Sequence, residues 1–332
     1  MTGNSKNKLK LLYLMKIFLE ETDEEHPLTM SQLQERLRAQ DILSERRSVY
    51  GDIQLLRDFG LDIVGEKRKQ YVYYLAGRDF ELAELKLLAD TVSSARFITL
   101  KKSQQLIKKI EGLTSRHYAG ELRRQVFVSG RVKTFNEGIY YNVDAIHRAI
   151  GLDCQVSFKY YDYDLDKNQV FRRQGIRYRV SPYILCWDND NYYLVAWHSR
   201  YDKLAHFRVD KMADIRVEEA DRRQSLDKSI DAVEYCQKTF GMFAGRDSWV
   251  KVRFAGELIG VVVDRFGKDV SVTRDGEEHF IASIKVSVSP VFYSWLLQFG
   301  DRVEILGPEE VRRDMAGQLR DILANYEDGR ES

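Results

Sequence analysis

The sequence predicts a multidomain α+β protein, and three observations predict it. At 332 residues the chain is longer than one hydrophobic core serves efficiently. Apolar residues recur at helical spacing from Leu9 through Ile110, interrupted by one alternating, basic-tipped stretch. From Cys154 the period changes to two, and after Trp249 strand-like and helix-like stretches take turns. Four segments follow from these changes: 1–78, 79–140, 141–220 and 221–332.

Composition narrows the function classes. Apolar residues at 44% and charged residues at 31% fit a globular chain. A net charge of +1 gives no bulk attraction to nucleic acid, so any such binding must come from local patches. The three cysteines, Cys154, Cys186 and Cys236, are an odd number without a C-x-x-C pair. They argue against a disulfide framework and a zinc site, and suit a reducing cytoplasm. The run from Leu11 to Leu19 is broken by Lys16, and it reads as an amphipathic helix rather than a signal peptide. No stretch approaches the ~20 apolar residues a membrane span needs. With four prolines, the linkers are expected to be helical or charged.

Residues 1–78 read as a winged helix-turn-helix. Leu9, Leu12, Ile17 and Leu19 place a first helix over residues 7–22. After an acidic break at Glu21–His26, Thr29 and Ser31 are N-cap candidates, with Glu35 completing a near capping box to Ser31. A second helix runs through Leu33 and Leu37. A third starts near Ser44-Glu45 and stops at Phe59-Gly60, where Gly60 suits the C′ position. Val49, Ile53 and Leu56 form its buried stripe. Arg46, Arg47, Tyr50, Gln54 and Arg57 share another arc of ~140°. Arginine and glutamine match the acceptor and donor edges of guanine and adenine in the major groove. Residues 63–74 then alternate through Lys67-Arg68-Lys69, a hairpin whose tip is able to lie on phosphates. A solvated charged helix and an ordinary basic turn is the competing reading. Charges nearly cancel over this segment, so the case for DNA rests on geometry.

Residues 79–140 read as a helical connector. Phe80 to Ile110 is one proline-free helical stretch with Leu82, Leu85, Leu88 and Ala89 in register. It is either a dimerisation helix or lever, or a packing connector with a solvated Lys101-Lys102 and Lys108-Lys109 face. Arg123-Arg124 and Arg131-Lys133 read as solvated surface.

From Cys154, Val156, Phe158 and Tyr160 alternate with polar residues. Strands ending at Pro182 and flanking the turn at Trp187–Asn191 fit a small barrel. Alternation sets Tyr193, Val195 and Trp197 on one face and Tyr192, Leu194, Ala196 and His198 on the other. Each aromatic there is open to a core role or a ligand role. For Arg208 a ligand role is favoured, because an unpaired buried arginine is very costly.

The last segment reads strand, helix, strand, strand, helix. A further strand over Asp301–Leu306 follows, then a helix opened by Pro308-Glu309-Glu310, with acids at its positive end. Trp295 reads as a core residue ahead of an interface anchor. There is no P-loop, G-x-S-x-G, H-E-x-x-H or dinucleotide glycine fingerprint, and the six histidines offer no metal spacing. The reading is therefore not an enzyme, with no metal and no cofactor.

Three resemblances sharpen this. The run ERRSVYGDIQLLRDFGLDI resembles the recognition helix of DeoR-type regulators, near S-x-R-T-V-x-R-D-I. Arg47, Ser48, Val49, Asp52 and Ile53 match it, and Gly51 stands where Arg or Lys is usual. Tyr192-Tyr193-Leu194-Val195-Ala196-Trp197, followed by Phe207-Arg208-Val209-Asp210-Lys211-Met212, resembles the WYL-domain hairpin, with Val180-Ser181-Pro182-Tyr183 and Phe158/Tyr160 fitting too. Tyr192 replaces the Trp of that pattern, and Ala205 or His206 stands where many members carry another Arg. The stretch FYSWLLQFGDRVEILGPEEVRRDM resembles the WCX extension.

The resemblances imply an Sm/SH3-like barrel, a ferredoxin-like extension and a cytoplasmic bacterial transcription regulator acting as a homodimer. The DNA-contacting candidates are Arg46, Arg47, Ser48, Tyr50, Gln54, Arg57, Lys67, Arg68 and Lys69. The effector candidates are Tyr183, Tyr193, His198, Arg200, His206 and Arg208. Arginine can fork onto phosphate and tyrosine can stack a base. The expected partners are thus an operator duplex and an anionic effector, a nucleotide or single-stranded nucleic acid. The alternatives are a nucleic-acid-binding accessory protein of a defence or repair system, and a nucleotide-acting enzyme.

Overall fold

A computed structural model describes residues 3–122, 133–134, 136–224 and 231–327, with side chains from Asn7 onward. Arg123, Arg124 and Arg131 lie outside the described residues. Helices and sheets are mixed, and contacts gather into two units, Met1–Glu137 and Gly138–Ser332.

The first unit opens with α1 (Gly3–Glu21), β1 (Leu28–Thr29), α2 (Met30–Arg38) and α3 (Arg46–Asp58). The hairpin β2 (Ile63–Lys67) and β3 (Tyr71–Leu75) follows. Leu14 and Phe18 of α1, Leu33 and Leu37 of α2, Val49, Ile53 and Leu56 of α3, and Tyr73 and Leu75 of β3 make one core. Strand order is β1-β3-β2, all antiparallel. β1 is too short to show alternation, and the sequence reading lacks it. Of the two N-cap candidates for α2 the structure uses the first, and the capping box is not the one expected between Ser31 and Glu35. Thr29, not Ser31, is the N-cap, and its capping box closes on Gln32. Gly60 follows α3 at φ 114°, a left-handed turn position that suits glycine.

The connector is not one helix. It breaks into α4 (Leu82–Ser94) and α5 (Leu100–Glu111), and α6 (Arg116–Leu122) follows. Ala95 turns extended, and the Thr99 side chain caps α5 by accepting from the Lys102 N–H. Lys133 is not the solvated cation the sequence suggests. Its Nζ donates to the Val92 carbonyl at 3.3 Å, the Ala95 carbonyl at 3.0 Å and Ser103 Oγ at 2.8 Å. Burial lowers its pKa. It thus sits on the carbonyl end of α4, where a cation is favoured.

The second unit starts with α7 (Ile139–Gly151). A sheet of β4 (Cys154–Tyr163), β5 (Gln169–Phe171), β6 (Tyr178–Asp188), β7 (Asn191–His198), β8 (Lys203–Arg208) and β9 (Met212–Arg222) follows. Its order is β5-β4-β6-β7-β8, with β9 also on β4. β4 meets β5 along its last residues and β6 and β9 along its first, which curls the sheet into a half-barrel. Inside the curl, Phe158 stacks on Tyr178 at 5.7 Å and meets Phe207 edge-on at 5.1 Å.

A short helix, α8 (Ala232–Lys238), leads to β10 (Arg246–Ala255), α9 (Ile259–Phe266), β11 (Ser271–Asp275), β12 (His279–Val288), α10 (Pro290–Leu297), β13 (Val303–Gly307) and α11 (Glu309–Glu327). This is a βαββαβ order with an antiparallel sheet β11-β12-β10-β13, closed by a last helix. Val250, Val252, Phe254, Ile284 and Phe292 centre its core. Trp295 packs there against Phe240 at 5.2 Å and Phe266 at 5.8 Å.

The cysteines depart from the sequence reading. Cys186 and Cys236 are disulfide-bonded, and Cys154 is free and buried. The partners are 50 residues apart, on a strand and a helix, so spacing along the chain gives no hint of the pair.

Candidate functional site

The outward face of α3 is a charged surface held from below. Its cationic and amide side chains divide by what holds them. Arg57 Nε donates to the Ile63 carbonyl at 2.8 Å and so braces the helix against β2. Ser48 accepts from Lys10, which also pairs with Asp52 at 2.8 Å while only 5% exposed. That buried cation ties α3 to α1. Arg46 Nε donates to Tyr50 Oη at 3.0 Å, and the guanidinium carbon lies 5.6 Å from the ring centroid. The Arg46 hydrogen bond lowers the Tyr50 phenol pKa. Gln54 donates to Asp58 Oδ1 at 2.9 Å, across one exposed turn. Arg47 is exposed, with no ion-pair partner among the described residues.

The hairpin tip divides the same way. Arg68 folds back, with Nη2 donating to the Glu24 carbonyl at 2.7 Å and Nε to Glu66. Lys67 and Lys69 are exposed, without a carboxylate partner among the described residues. So Arg47, Lys67 and Lys69 are free to engage a ligand, Gln54 and the Arg46–Tyr50 pair are reachable on the surface, and Ser48, Arg57 and Arg68 are engaged within the fold.

The six effector candidates fall into two places in the half-barrel. His198 ends β7 at the inner mouth. It is 5% exposed, and among the described residues none hydrogen-bonds either ring nitrogen. Its ring lies 6.0 Å from Tyr178 and 4.7 Å from Tyr201. The Arg173 guanidinium lies 4.5 Å from the Tyr178 ring and donates to Tyr201 Oη at 2.7 Å. Arg200 lies 6.0 Å from the Tyr201 ring. Burial, then the Arg173 charge, lowers the His198 pKa, so the ring is held neutral with one donor and one acceptor to offer. Arg173 and Gln174 are consecutive left-handed residues at φ 53° and 55°. Two such non-glycine residues together are uncommon, and they turn Arg173 onto the aromatic pair. Sequence reasoning missed Arg173, Tyr178 and Tyr201. Only the Arg172-Arg173 doublet ahead of Gly175 hinted at them.

Tyr183, Tyr193, His206 and Arg208 lie elsewhere, on the outer sheet face. Arg208 Nε and Nη2 fork onto Asp210 at 3.1 and 2.8 Å, and Nη2 also donates to Asn191 at 2.9 Å. The sequence argument that Arg208 needs a ligand for partner is thus met inside the chain. Tyr193 pairs across β7–β8 with Arg208, and burial raises its phenol pKa. His206 Nε2 shares a hydrogen bond of 2.8 Å with Tyr235 Oη, and burial pushes its pKa down to about 4. Tyr183 donates to the Gln224 carbonyl, under the Arg223 guanidinium at 4.9 Å. These four are satisfied by neighbours, whereas the mouth cluster holds an unsatisfied imidazole.

Family models match two parts of the chain: a WYL domain over residues 141–217 and a WCX domain over residues 246–323. The chain therefore carries both domains. A search of the curated proteins finds no match. Among solved structures, proteasome accessory factor B/C (PafBC) of Arthrobacter aurescens is similar at 17% identity over 97% of this chain, with a TM-score of 0.28. The chain spans about half (49%) of that protein's length. The crystal structure of a CRISPR Cas-related protein is similar at 14% identity, over 99% of this chain and 85% of that one, with a TM-score of 0.37. Scores this low carry no argument about function. Among the described residues, no helix is long and apolar enough to cross a membrane.

Proposed function

We propose that this protein is a cytoplasmic bacterial transcription regulator. In this reading a winged helix-turn-helix reads duplex DNA and a WYL domain senses an anionic effector. The observation that carries it is the α3 face with Arg47 and Gln54 outward, beside a hairpin tip with Lys67 and Lys69 free. That is a base-reading helix next to a phosphate-gripping loop. The buried pair of Lys10 with Asp52 and the Arg57 brace hold the helix rigid, as a reading surface requires.

The effector reading rests on the mouth cluster. Arg173 and Arg200 supply positive charge, the exposed Tyr201 supplies a stacking face, and His198 supplies a neutral donor and acceptor. That set fits a phosphate next to a base, hence a nucleotide or a single-stranded nucleic acid. An Sm-like barrel and a ferredoxin-like extension are the architectures that the curled sheet and the βαββαβ order support. The regulator is proposed to act as a homodimer without catalysis. On α11, Leu319, Ile322, Leu323 and Tyr326 are exposed at i, i+3, i+4 and i+7, a stripe suited to a second copy.

The test is fluorescence anisotropy against duplexes tiling the gene's upstream region, with random duplex as competitor at fixed salt. A tight site that survives competition is expected, and Arg47→Ala should cost it ~1–3 kcal/mol. Equal losses on random duplex would reduce Arg47 to a phosphate contact. Sequence-blind, salt-sensitive binding alone would favour an accessory nucleic-acid-binding role.

A further inference from the structure

We propose that Cys186–Cys236 is a reversible thiol–disulfide clip that fastens α8 over the outer face of the half-barrel sheet. The inference does not rest on the nucleic-acid reading. The bond joins the last part of β6 to α8, and its sulfurs sit in a small cluster with Ile184, Val195 and Met242. That cluster is separate from the aromatic core inside the curl and from the core of the C-terminal sheet. The bond therefore does not staple either main core. It fastens one seven-residue helix in which no residue is fully buried. A helix this short does not persist without tertiary attachment.

Among the described residues, the other polar attachments of α8 to the sheets are Tyr235 to His206, Glu234 to Lys285 and Lys238 to Asp247, and Tyr235 also packs in the same small cluster. Glu234–Lys285 is an exposed ion pair of the kind that contributes little, whereas Lys238 is partly covered where it meets Asp247, and both pairs lie on the C-terminal sheet. Beneath α8 lie Tyr193, Val195 and Leu204. Release of the helix uncovers that face and breaks the His206–Tyr235 bond.

The two sulfurs differ in access. Cys186 is 2% exposed, whereas Cys236 is half-buried at the surface. A low-molecular-weight thiolate can attack Sγ of Cys236, forming a mixed disulfide there and expelling Cys186 as a thiolate that takes up a proton. A second thiolate then attacks the external sulfur of the mixed disulfide. It releases Cys236, which is protonated in turn, and leaves with the first as a small disulfide. Two small thiols are oxidised and one protein disulfide is reduced. The reverse sequence closes the clip at the expense of a small disulfide. Cys154 takes no part. It is buried on β4, with its thiol on the Leu152 and Glu219 carbonyls.

The full chain is equilibrated in glutathione buffers from fully reduced to fully oxidised. Free thiols are alkylated and counted by mass, and amide exchange is followed over residues 231–242 and over β7 and β8. Wild-type protein is expected to pass from three free thiols to one between the two extremes. Exchange in α8 should slow at least tenfold over the same interval. Cys236→Ser should exchange fast in α8 at every ratio. One free thiol throughout, three throughout, or exchange in α8 that ignores the ratio would each overturn the proposal. So would slow exchange of α8 in Cys236→Ser. The main readout uses wild-type protein, so it does not depend on a variant folding.

Discussion

Gly51 stands on the outward face of α3 between Arg47 and Gln54, and nothing in the fold asks for a glycine there. An added Cβ meets no atom within 4 Å, and the backbone is helical. A mid-helix glycine without a packing role costs about 1 kcal/mol against alanine. Gly51→Ala should therefore raise the free energy of unfolding by ~0.5–1 kcal/mol, read from urea denaturation of the full chain. Gly51→Arg fills the place where the DeoR-type pattern carries a cation. If this face lies on phosphates, the arginine variant should also steepen the log affinity–log salt slope by ~0.9 over the alanine variant. Equal slopes for the two variants would take this turn of α3 off the DNA. The residue scale is also where sequence reasoning reached least far. The arc carrying Arg46, Arg47, Tyr50, Gln54 and Arg57 was readable from the 3.6-residue period. That Arg57 turns back to Ile63 and Ser48 toward Lys10 was not, because those partners lie in other elements. Arg208 repeats the lesson: its need for a partner was legible, but the identity of that partner as Asp210 depends on how the chain turns after β8.

At the scale of elements, long alternating stretches declared themselves. β2, β3, β7 and β10 all fall where period two predicted strands. Elements that owe their existence to neighbours did not. β1 is two residues paired on β3, and the break between α4 and α5 rests on the Thr99 cap rather than on proline or glycine. α8 belongs to the same class, since its place on the sheet comes from contacts remote in sequence. One of those contacts makes it sensitive to pH. His206 is held neutral to about pH 4 in the folded state, because burial penalises its charged form. The unfolded chain takes up that proton near pH 6.5. Between these values the unfolded state binds more protons, so stability is full above about 6.5 and falls as pH drops toward 4. The shift is worth at most roughly 3 kcal/mol, and less to the extent that opening of α8 relieves it. His206→Gln should flatten this part of the stability–pH curve while leaving the value at pH 8 within about 1 kcal/mol of wild type. Denaturant titrations at pH 4.5, 6 and 8 decide it. Curves for the two proteins that fall in parallel would remove His206 as the cause.

At the scale of the whole molecule, contacts gather into two units divided at Glu137; the core of α1–α3 and the hairpin lies wholly in the first, and the core of the C-terminal sheet wholly in the second. The sequence made the change of period visible at Cys154, but the disulfide, wholly inside the second unit, was hidden from it. These two facts together give a calorimetric prediction. Units with separate cores unfold as separate cooperative transitions, so the full chain should show two heat-absorption peaks rather than one. The bond closes a loop of 50 residues, which in the chain-entropy picture restricts the unfolded second unit by up to roughly 4 kcal/mol. Reductant should therefore lower the midpoint of the second unit's transition by several degrees. The first unit contains no cysteine and should melt where it did before. The peaks are assigned by Leu33→Ala, a core truncation that should lower only the first unit's transition, by ~2–5 kcal/mol. A single peak that moves as a whole with reductant would mean that the units unfold together. Two peaks that both ignore reductant would mean that the bond adds nothing to the folded second unit. If only the second unit's peak moves, the unit that carries the WYL and WCX domains responds to thiol redox state while the first keeps its own stability.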